Sequence, residues 1–352
     1  MKYRRAILEE VEGYVPGEQP QRSGVVKLNT NENPYPPSPE VVRALRTLSE
    51  DAFRKYPDPV SALLRDTAAE RYGYSSRDWV FAGNGMDEIL ALVVRTFADP
   101  GDAILAPYPT YTLYETLAKL HGAEMTWIDL DDAFQLPAAF FAQRGRIAFV
   151  ARPNAPTGVA YARETMESFC KGFDGIVFID EAYVDFADDS CIDFPRRFEN
   201  VIVGRSFSKS FSLAGLRLGL AFANPEIVAE FMKTKDSYNV NAATQAAGIA
   251  ALTDYGWMET NVAKVRATRK RLTESLKTLG FTVTPSQANF VLAAREGTPS
   301  AREIFEALRA RDIYVRYFAA RRLDNSLRIS VGTEEETDTL LNALSEILPS
   351  HP

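Results

Sequence analysis

A lysine stands at the end of an apolar stretch, in surroundings that suit covalent chemistry. Residues 201–203 predict a buried strand, which is followed by Ser206, Ser208 and Lys209, with Arg217 eight positions further on. A strand-end lysine beside apolar surface can be partly desolvated, which frees its amine to form a Schiff base. The serines and the arginine can bind a phosphate, the arginine through a bidentate contact. A solvated loop lysine is the ordinary alternative, and this segment alone would favour it.

A carboxylate and a phenol follow a second apolar stretch. Residues 176–179 predict another buried strand, and Asp180 and Tyr183 come after it. A buried aspartate can keep a ring nitrogen protonated, which pyridoxal-5'-phosphate (PLP) requires in order to act as an electron sink. A phenol near the O3' oxygen of that ring would stabilise it as a phenolate. Taken alone, Asp180 would instead be interpreted as the N-cap of the following helix.

Two weaker signals lie upstream. Gly85 and Met86 stand where a glycine turn opens a predicted helix, and backbone N–H groups at such a helix start can bind phosphate. Tyr111 follows a predicted strand at 103–105, where its ring could stack on a planar cofactor or equally well pack in the core. The glycine turn matches neither the Walker motif nor a full G-x-G-x-x-G, so it is not specific by itself.

Composition and charge narrow the class of protein. The chain has 352 residues, so we expect two domains or one domain with an annex. A net charge of −7 argues against nucleic acid as a partner but permits an anionic substrate beside local arginines. No apolar run is long enough to span a membrane, and the charged N-terminus, which no apolar stretch follows, predicts no secretory signal. The two cysteines and two histidines have no metal-like spacing, so we expect no metal site, and reduced thiols in a cytoplasmic protein.

The chain divides into three predicted parts. Residues 1–38 are rich in proline and predict an extended N-terminal arm that packs with the small domain. In residues 39–256 short apolar strands alternate with helices, which predicts a large, doubly wound α/β domain with a mostly parallel sheet. Residues 257–352 predict a smaller α+β domain that begins with a long helix at 257–279. In such folds ligands bind outside the carboxyl ends of the strands.

These segments together resemble the fold-type I PLP-dependent aminotransferases over nearly the whole chain. The most specific parts are Ser206-x-Ser208-Lys209 with Gly215-Leu216-Arg217, and then Asp180-Glu181-Ala182-Tyr183. The resemblance implies that Lys209 forms the Schiff base with PLP and moves the proton. It implies that Asp180 holds the pyridinium, Tyr183 the O3' oxygen and Tyr111 the ring face. The implied phosphate ligands are Ser206, Ser208, Arg217 and the amides of Gly85 and Met86.

The same resemblance implies a homodimer with shared active sites. Tyr56, within Lys55-Tyr56-Pro57, resembles the residue that reaches the cofactor phosphate of the partner subunit. One position departs from the family pattern, because related enzymes bind O3' through the second asparagine of Asn-Asn-Pro-Thr-Gly, which is Ala155 here. Either Asn154 takes over that contact through a shifted backbone, or Tyr183 makes it alone.

The arm and the C-terminal segments resemble the histidinol-phosphate aminotransferase family. The resemblance rests on residues 12–17, 27–35, 315–318 and 327–333. It implies that two arginines and an arm tyrosine gather the anionic end of the substrate, and that Arg316 and Arg328 also receive the carboxylates of glutamate. Tyr238 resembles a residue of the imidazole pocket, with interface packing as an equal alternative. The substrate-binding residues so implied are Tyr14, Asn31, Tyr238, Arg316 and Arg328.

The implied reaction belongs to histidine biosynthesis. It moves the amino group of L-histidinol phosphate to 2-oxoglutarate and gives imidazole-acetol phosphate and glutamate. An aromatic or other amino-acid aminotransferase would share every cofactor residue, and a threonine-phosphate decarboxylase would share the fold and an anion site. A PLP-binding transcriptional regulator would need a DNA-binding extension, for which the short arm leaves no room.

Overall fold

Strands and helices alternate along the first 250 residues, as the apolar pattern predicts. The structure is a computed structural model, and it describes residues 3–9, 11, 13 and 17–349. The strands of these residues are β1 (Val26–Lys27), β2 (Val80–Gly83), β3 (Ala103–Tyr108), β4 (Glu124–Asp129), β5 (Ile147–Ala151), β6 (Ile176–Asp180), β7 (Val201–Ser206), β8 (Gly219–Phe222), β9 (Thr282–Val283), β10 (Phe290–Ala294), β11 (Ile313–Tyr314), β12 (Arg316–Tyr317) and β13 (Ser326–Ser330).

Several helices begin at a residue whose side chain accepts from one of their free N–H groups. Ser38 accepts a hydrogen bond from the N–H of Glu40, and Ser300 and Thr333 each form a capping box. The α-helices of the described residues are α1 (Pro39–Arg46), α2 (Asp51–Arg54), α3 (Ala62–Arg71), α4 (Met86–Phe97), α5 (Leu113–His121), α6 (Ala138–Phe141), α7 (Arg163–Gly172), α8 (Pro225–Thr234), α9 (Ala242–Thr253), α10 (Tyr255–Thr278), α11 (Ala301–Arg309) and α12 (Glu334–Ile347).

A seven-stranded sheet forms the centre of the larger part of the molecule. Its order is β2-β8-β7-β6-β5-β3-β4, and its strands are parallel except β8, which is antiparallel to both neighbours. Alternate residues of the central strands pack into two different apolar clusters, with Phe149 and Phe178 in one and Val150 and Ile179 in the other. Because both faces are covered, these strands are apolar almost without interruption. The predicted α/β class with a mostly parallel sheet is confirmed.

The C-terminal part is built on a second, smaller sheet. Its four antiparallel strands have the order β12-β13-β10-β9, and α10, α11 and α12 pack nearby. The arm joins this part, because β1 pairs in parallel with β11, so that Val26 lies opposite Ile313. The boundaries at residues 38 and 256 stay a prediction. Within the part of the chain that the structure describes, no helix is long and apolar enough to cross a membrane.

Candidate active site

A cavity of about 510 Å³ lies at the carboxyl edge of the large sheet. Its walls come from this sheet, from the arm and from the small sheet. Many residues singled out from the sequence meet here, although they are spread over 300 positions of the chain. Those that line the cavity are Asn31, Met86, Tyr111, Asp180, Tyr183, Ser206, Ser208, Lys209, Arg217, Arg316 and Arg328.

The Lys209 amine lies inside this cavity, in the turn that follows β7. The turn is held where the N–H of Ser208 donates to Ser206 Oγ at 3.2 Å. Lys209 Nζ donates to the carbonyl oxygen of Thr30 at 3.3 Å and lies 5.6 Å from the centre of the Tyr183 ring. The alternative of a solvated loop lysine therefore does not describe this side chain.

Asp180 is a buried acid at the end of β6, with only 5% of its surface exposed. Tyr114 Oη donates to its Oδ2 at 3.0 Å, and the N–H of Ala182 donates to its Oδ1 at 3.1 Å. Burial raises the pKa of Asp180 to about 6, although both hydrogen bonds act in the opposite direction. A carboxylate in such surroundings gains most from a cation placed beside it, such as a protonated ring nitrogen.

Tyr183 is joined to the arm. Its hydroxyl accepts a hydrogen bond from Asn31 Nδ2 at 3.0 Å. Asn31 has a left-handed backbone with φ of 56°, which asparagine tolerates better than most residues, and its N–H donates to Ser330 Oγ at 2.9 Å. Its carbonyl accepts from Asn289 Nδ2 at 2.9 Å. Asn31 thus connects the arm to both sheets, and its implied role as a substrate ligand stays a prediction.

An anion cradle forms where α4 begins. Gly85 has φ of 85°, and a Cβ there would lie 2.8 Å from Arg217 Nη2, so only glycine lets the guanidinium come this close. Arg217 Nη1 donates to Ser208 Oγ at 3.3 Å, and Nη2 to Asp87 Oδ2 at 3.1 Å. The helix start, two serine hydroxyls and a guanidinium together provide the donors that a phosphate needs.

The two C-terminal arginines form a cationic wall of the same cavity. Arg316 and Arg328 face each other across β12 and β13, and each guanidinium lies within 5.5 Å of the centre of the Phe318 ring. Arg328 Nη2 also donates to the carbonyl of Asn29 at 2.7 Å. Two neighbouring guanidinium groups offer several N–H donors, so this wall can bind an anion.

Asn154 is a predicted cofactor ligand that does not line the cavity. Asn154 is fully buried, and its amide donates to Pro109 O at 3.0 Å and to Thr157 Oγ1 at 2.9 Å. Its carbonyl oxygen accepts from Thr110 Oγ1 at 2.7 Å, whereas Ala155 lines the cavity. Asn154 therefore holds the loop behind the wall. Its assignment to the cofactor stays a prediction that this geometry does not support.

Tyr56 and Tyr238 lie together on the outer surface. Their rings stack with centres 4.3 Å apart and planes 14° apart, and 79% and 43% of their surfaces are exposed. Neither lines the cavity of its own chain. Gly85 lies against Arg217 rather than at the cavity wall. Tyr14 falls outside the described residues, so its predicted role has no structural counterpart here.

Several residues of the site have no clear signature in the sequence. Asp87 accepts from Tyr111 Oη at 3.1 Å as well as from Arg217, and it directly follows the predicted phosphate-binding amides. Tyr114, in the first turn of α5, could have been suspected because a buried tyrosine hydroxyl needs a partner. Thr30 contributes only its carbonyl, which any residue type could offer.

Comparison with known proteins agrees with this geometry. Residues 23–344 match the family model "Aminotransferase class I and II". The chain is 45% identical over 344 residues to the histidinol-phosphate aminotransferase of Microcystis aeruginosa, and the match covers 98% of each chain. It is 42% identical over 348 residues to that of Syntrophotalea carbinolica, covering 99% of this chain and all of the relative.

A solved structure supports the same conclusion. The histidinol-phosphate aminotransferase from Sinorhizobium meliloti, in complex with pyridoxal-5'-phosphate, superposes with a TM-score of 0.88 at 25% identity and covers 99% of this chain and 98% of its own. The resemblance inferred from the motifs is thereby confirmed. The chain belongs to the class I and II aminotransferases and, within them, to the histidinol-phosphate aminotransferase family.

Proposed function

We propose that this protein transfers the amino group of L-histidinol phosphate to 2-oxoglutarate, with PLP as its cofactor. The products are imidazole-acetol phosphate and glutamate. One observation carries the proposal: a single cavity holds a lysine amine, a buried acid, an anion cradle and a separate pair of arginines. Two separate anion sites fit a phosphorylated cofactor together with an anionic substrate.

The residues present fit PLP. Asp180, whose pKa is raised by burial, would meet the ring nitrogen, and the cradle of Ser206, Ser208 and Arg217 would bind the phosphate. Tyr183, whose hydroxyl accepts from Asn31, keeps its own proton available for the O3' oxygen. When bound, PLP supplies the electron sink on which amino-group transfer depends.

Lys209 is the group that we assign to proton transfer. Its amine lies at 5.6 Å from the centre of the Tyr183 ring, and the Thr30 carbonyl holds it by accepting one N–H. A positioned amine of this kind can take a proton from the substrate carbon and return it elsewhere, which contributes roughly 10²- to 10⁴-fold to rate. The arm therefore helps to position the Lys209 amine.

Arg316 and Arg328 would hold the anionic end of each substrate in turn. The phosphate of histidinol phosphate and the side-chain carboxylate of 2-oxoglutarate both carry negative charge away from the reacting carbon. Charge-assisted hydrogen bonds of this kind contribute about 1.5–3 kcal/mol each. An apolar side chain makes no such bond with this wall, which disfavours such substrates further.

A panel of amino donors tests the proposal. With 2-oxoglutarate as acceptor, histidinol phosphate should exceed phenylalanine and tyrosine in kcat/KM by roughly 100-fold. This factor corresponds to the free energy of one or two such bonds. A preference for phenylalanine would instead indicate an aromatic aminotransferase. Release of CO2 from threonine phosphate without a keto product would indicate a decarboxylase.

A homodimer with shared sites is the second part of the proposal. Phe53, Tyr56, Leu63 and Tyr238 are large apolar side chains that remain exposed, and Tyr56 stacks on Tyr238 outside its own cavity. Exposed apolar surface of this kind is typical of an interface. We assign Tyr56 to the cofactor phosphate of the other subunit.

Mixing two inactive variants tests this arrangement. Tyr56→Ala and Lys209→Ala subunits, unfolded and refolded together, should recover activity that neither shows alone, because one site of each mixed dimer receives both intact residues. Separate refolding provides the control. Absence of recovery in proven mixed dimers would place Tyr56 and Lys209 in the same site of one chain.

A cytoplasmic location is the third part of the proposal. Cys170 and Cys191 are both buried and carry free thiols, and burial raises the pKa of Cys170 to about 12. Unmodified buried thiols are typical of a reducing compartment. Cell fractionation with antibodies against the protein tests the location, and a membrane or extracellular fraction would contradict it.

A further inference from the structure

A group of buried ion pairs lies directly behind the wall that carries Asp180 and Lys209. Asp180 ends β6, Lys209 follows β7, and these strands are parallel neighbours. Their backbone hydrogen bonds continue as far as Glu181, whose N–H donates to the carbonyl of Gly204 at 2.9 Å. At Glu181 and beyond, charged side chains join the segment after β6 to Arg205 in β7.

Arg205 is the centre of this group and is only 5% exposed. Its Nη1 donates to Glu181 Oε2 at 3.3 Å, and its Nη2 donates to Asp185 Oδ1. The other oxygen of Asp185 accepts from the hydroxyl of Ser210, the residue after Lys209. One guanidinium thus holds two carboxylates of the β6 segment, and one of these also binds the lysine segment.

Each member of the group is close in the chain to a residue of the cavity. Glu181 follows Asp180, Asp185 lies two positions after Tyr183, and Arg205 precedes Ser206. The residues that line the cavity include none of the three charged members. A movement within the group would therefore reach the site only through the backbone and its neighbours.

Stability alone does not explain why these charges are buried. Removing ions from water costs several kcal/mol each, and apolar side chains of similar volume often give an equally stable protein. Burial by itself lowers the pKa of Arg205, but Asp185, Tyr72 and Glu181 together raise it by more, so the guanidinium stays charged. A planar, charged guanidinium group fixes the orientation of two carboxylates at once, which an apolar contact does not.

We propose that Arg205 is a positioning residue for amino transfer. By holding Glu181 and Asp185 with one guanidinium, it sets the distance between the Lys209 amine and the pair formed by Asp180 and Tyr183. The proposal rests on the PLP dependence described above and not on the identity of the amino donor.

Arg205→Lys tests this role with a variant that should fold. Lysine keeps the buried charge but cannot hold two carboxylates in a planar fork. We expect kcat to fall on the order of 10- to 100-fold, the effect of a small misplacement of catalytic groups, while KM for both substrates and the melting temperature stay close to the parent. The pH midpoint of the visible absorption of the PLP-loaded protein should shift by about 0.5–1 pH unit, because the charges around Lys209 move.

A double variant separates positioning from stability. Arg205→Met with Asp185→Leu removes the charges of that pair and leaves only Glu181, so the melting temperature should recover in part relative to Arg205→Met alone. The value of kcat should stay low and the pH midpoint should stay shifted. Arg163→Met with Asp193→Leu is the matched control, because this bidentate pair at 2.6 Å has no member in the cavity wall.

Two results would overturn the proposal: parental kcat and pH midpoint in Arg205→Lys, or recovery of both in the double variant. The absorption measurement needs only PLP and Lys209. A wrong assignment of the amino donor would therefore leave it unchanged and would be seen only in the donor panel.

Discussion

The two walls of the cavity are built in different ways. We assign one wall to the cofactor and the other to the substrate. The cofactor wall consists of residues at the ends of β6 and β7 and at the start of α4, each next to the element that positions it. The substrate wall joins parts of the chain that are far apart, since Arg328 donates to the carbonyl of Asn29 across 299 positions. One wall depends on local turns, and the other depends on how the arm lies against the small sheet.

This difference decides how each wall can fail. The carboxyl ends of parallel strands meet at one edge of a sheet, so Asp180 and Lys209 come together once the sheet forms. In the arm, three consecutive residues each hold a different group: Asn29 holds Arg328, Thr30 holds Lys209, and Asn31 holds Tyr183. A change in the cofactor wall should abolish the chemistry, whereas a change in the substrate wall should alter selectivity or efficiency.

The largest effect is expected at Lys209. Lys209→Ala should lower kcat at least about 10³-fold with every amino donor, because it removes the group that we assign to proton transfer. In the parent, borohydride reduction with PLP should attach the cofactor to this residue, as peptide mass spectrometry would show. Lys233→Ala, at an exposed lysine paired with Glu230, is the control and should behave as the parent. An adduct on another lysine would contradict the assignment of the cofactor wall.

Asp180→Asn should have the second-largest effect. A neutral amide cannot hold a proton on the ring nitrogen, so PLP should still bind while kcat falls on the order of 10²- to 10³-fold. Equilibrium dialysis gives the PLP affinity, and steady-state rates give kcat. Near-parental turnover would mean that Asp180 serves only as a cap for the turn after β6.

The same variant tests how the free energy of unfolding depends on pH in the absence of PLP. Burial raises the pKa of Asp180 to about 6, above the roughly 3.9 of an unfolded aspartate. Between these pH values the folded protein binds a proton that the unfolded chain lacks. The contribution of Asp180 to the free energy of unfolding therefore falls as the pH rises from 4 to 6. Asparagine does not titrate. Relative to the parent, Asp180→Asn should therefore gain about 1–3 kcal/mol in the free energy of unfolding between pH 4 and 7, measured with urea.

The contrast between the walls also explains what the sequence could predict. The apolar runs before Asp180 and Lys209 have the unbroken pattern of buried parallel strands, and the structure has β6 and β7 there. The long helix expected at 257–279 is α10, which starts two residues earlier and ends one earlier. Local patterns of this kind carry their own physical cause, which is burial on both faces or on one helical side.

Two kinds of contact leave no such pattern in the sequence: those made by backbone atoms, and those that depend on which way a loop residue faces. The Thr30 carbonyl that accepts from Lys209 is chemically the same as any other carbonyl, so no residue type marks it. Asn154 matches only the first asparagine of the family motif, and three neighbouring polar groups bind its side chain behind the wall. Which of two adjacent residues faces a cavity depends on the backbone geometry of the loop, and composition does not determine it.

Arg316→Ala should alter selectivity in the substrate wall. In a single turnover of the PLP-loaded protein, the second-order rate constant for histidinol phosphate should fall about 10- to 150-fold. The reason is that one charge-assisted bond contributes about 1.5–3 kcal/mol. Phenylalanine, which brings a singly charged carboxylate in place of the phosphate, should be affected less. Arg321→Ala, at an exposed arginine nearby that pairs with Asp129, is the control. Equal losses for both donors would make Arg316 structural.

The smallest effect is expected at Asn31, where the two walls meet. Asn31→Gly keeps the left-handed backbone without strain but removes the side-chain bonds to Tyr183 and Ser330. Each neutral hydrogen bond contributes about 0.5–1.5 kcal/mol, so kcat/KM should fall roughly 3- to 15-fold. Because Tyr183 belongs to the cofactor wall, histidinol phosphate and phenylalanine should lose equally.

Asn31→Ala supplies the matched comparison. Alanine loses the same bonds and also pays about 1–2 kcal/mol for the left-handed backbone, so it should unfold more easily than Asn31→Gly while its kinetics stay similar. If histidinol phosphate alone were impaired in both variants, Asn31 would contact the substrate directly, as the family resemblance implies. Equal losses would instead show that the arm acts on the chemistry through Tyr183, and the division between the two walls would then run through the side chain of Asn31.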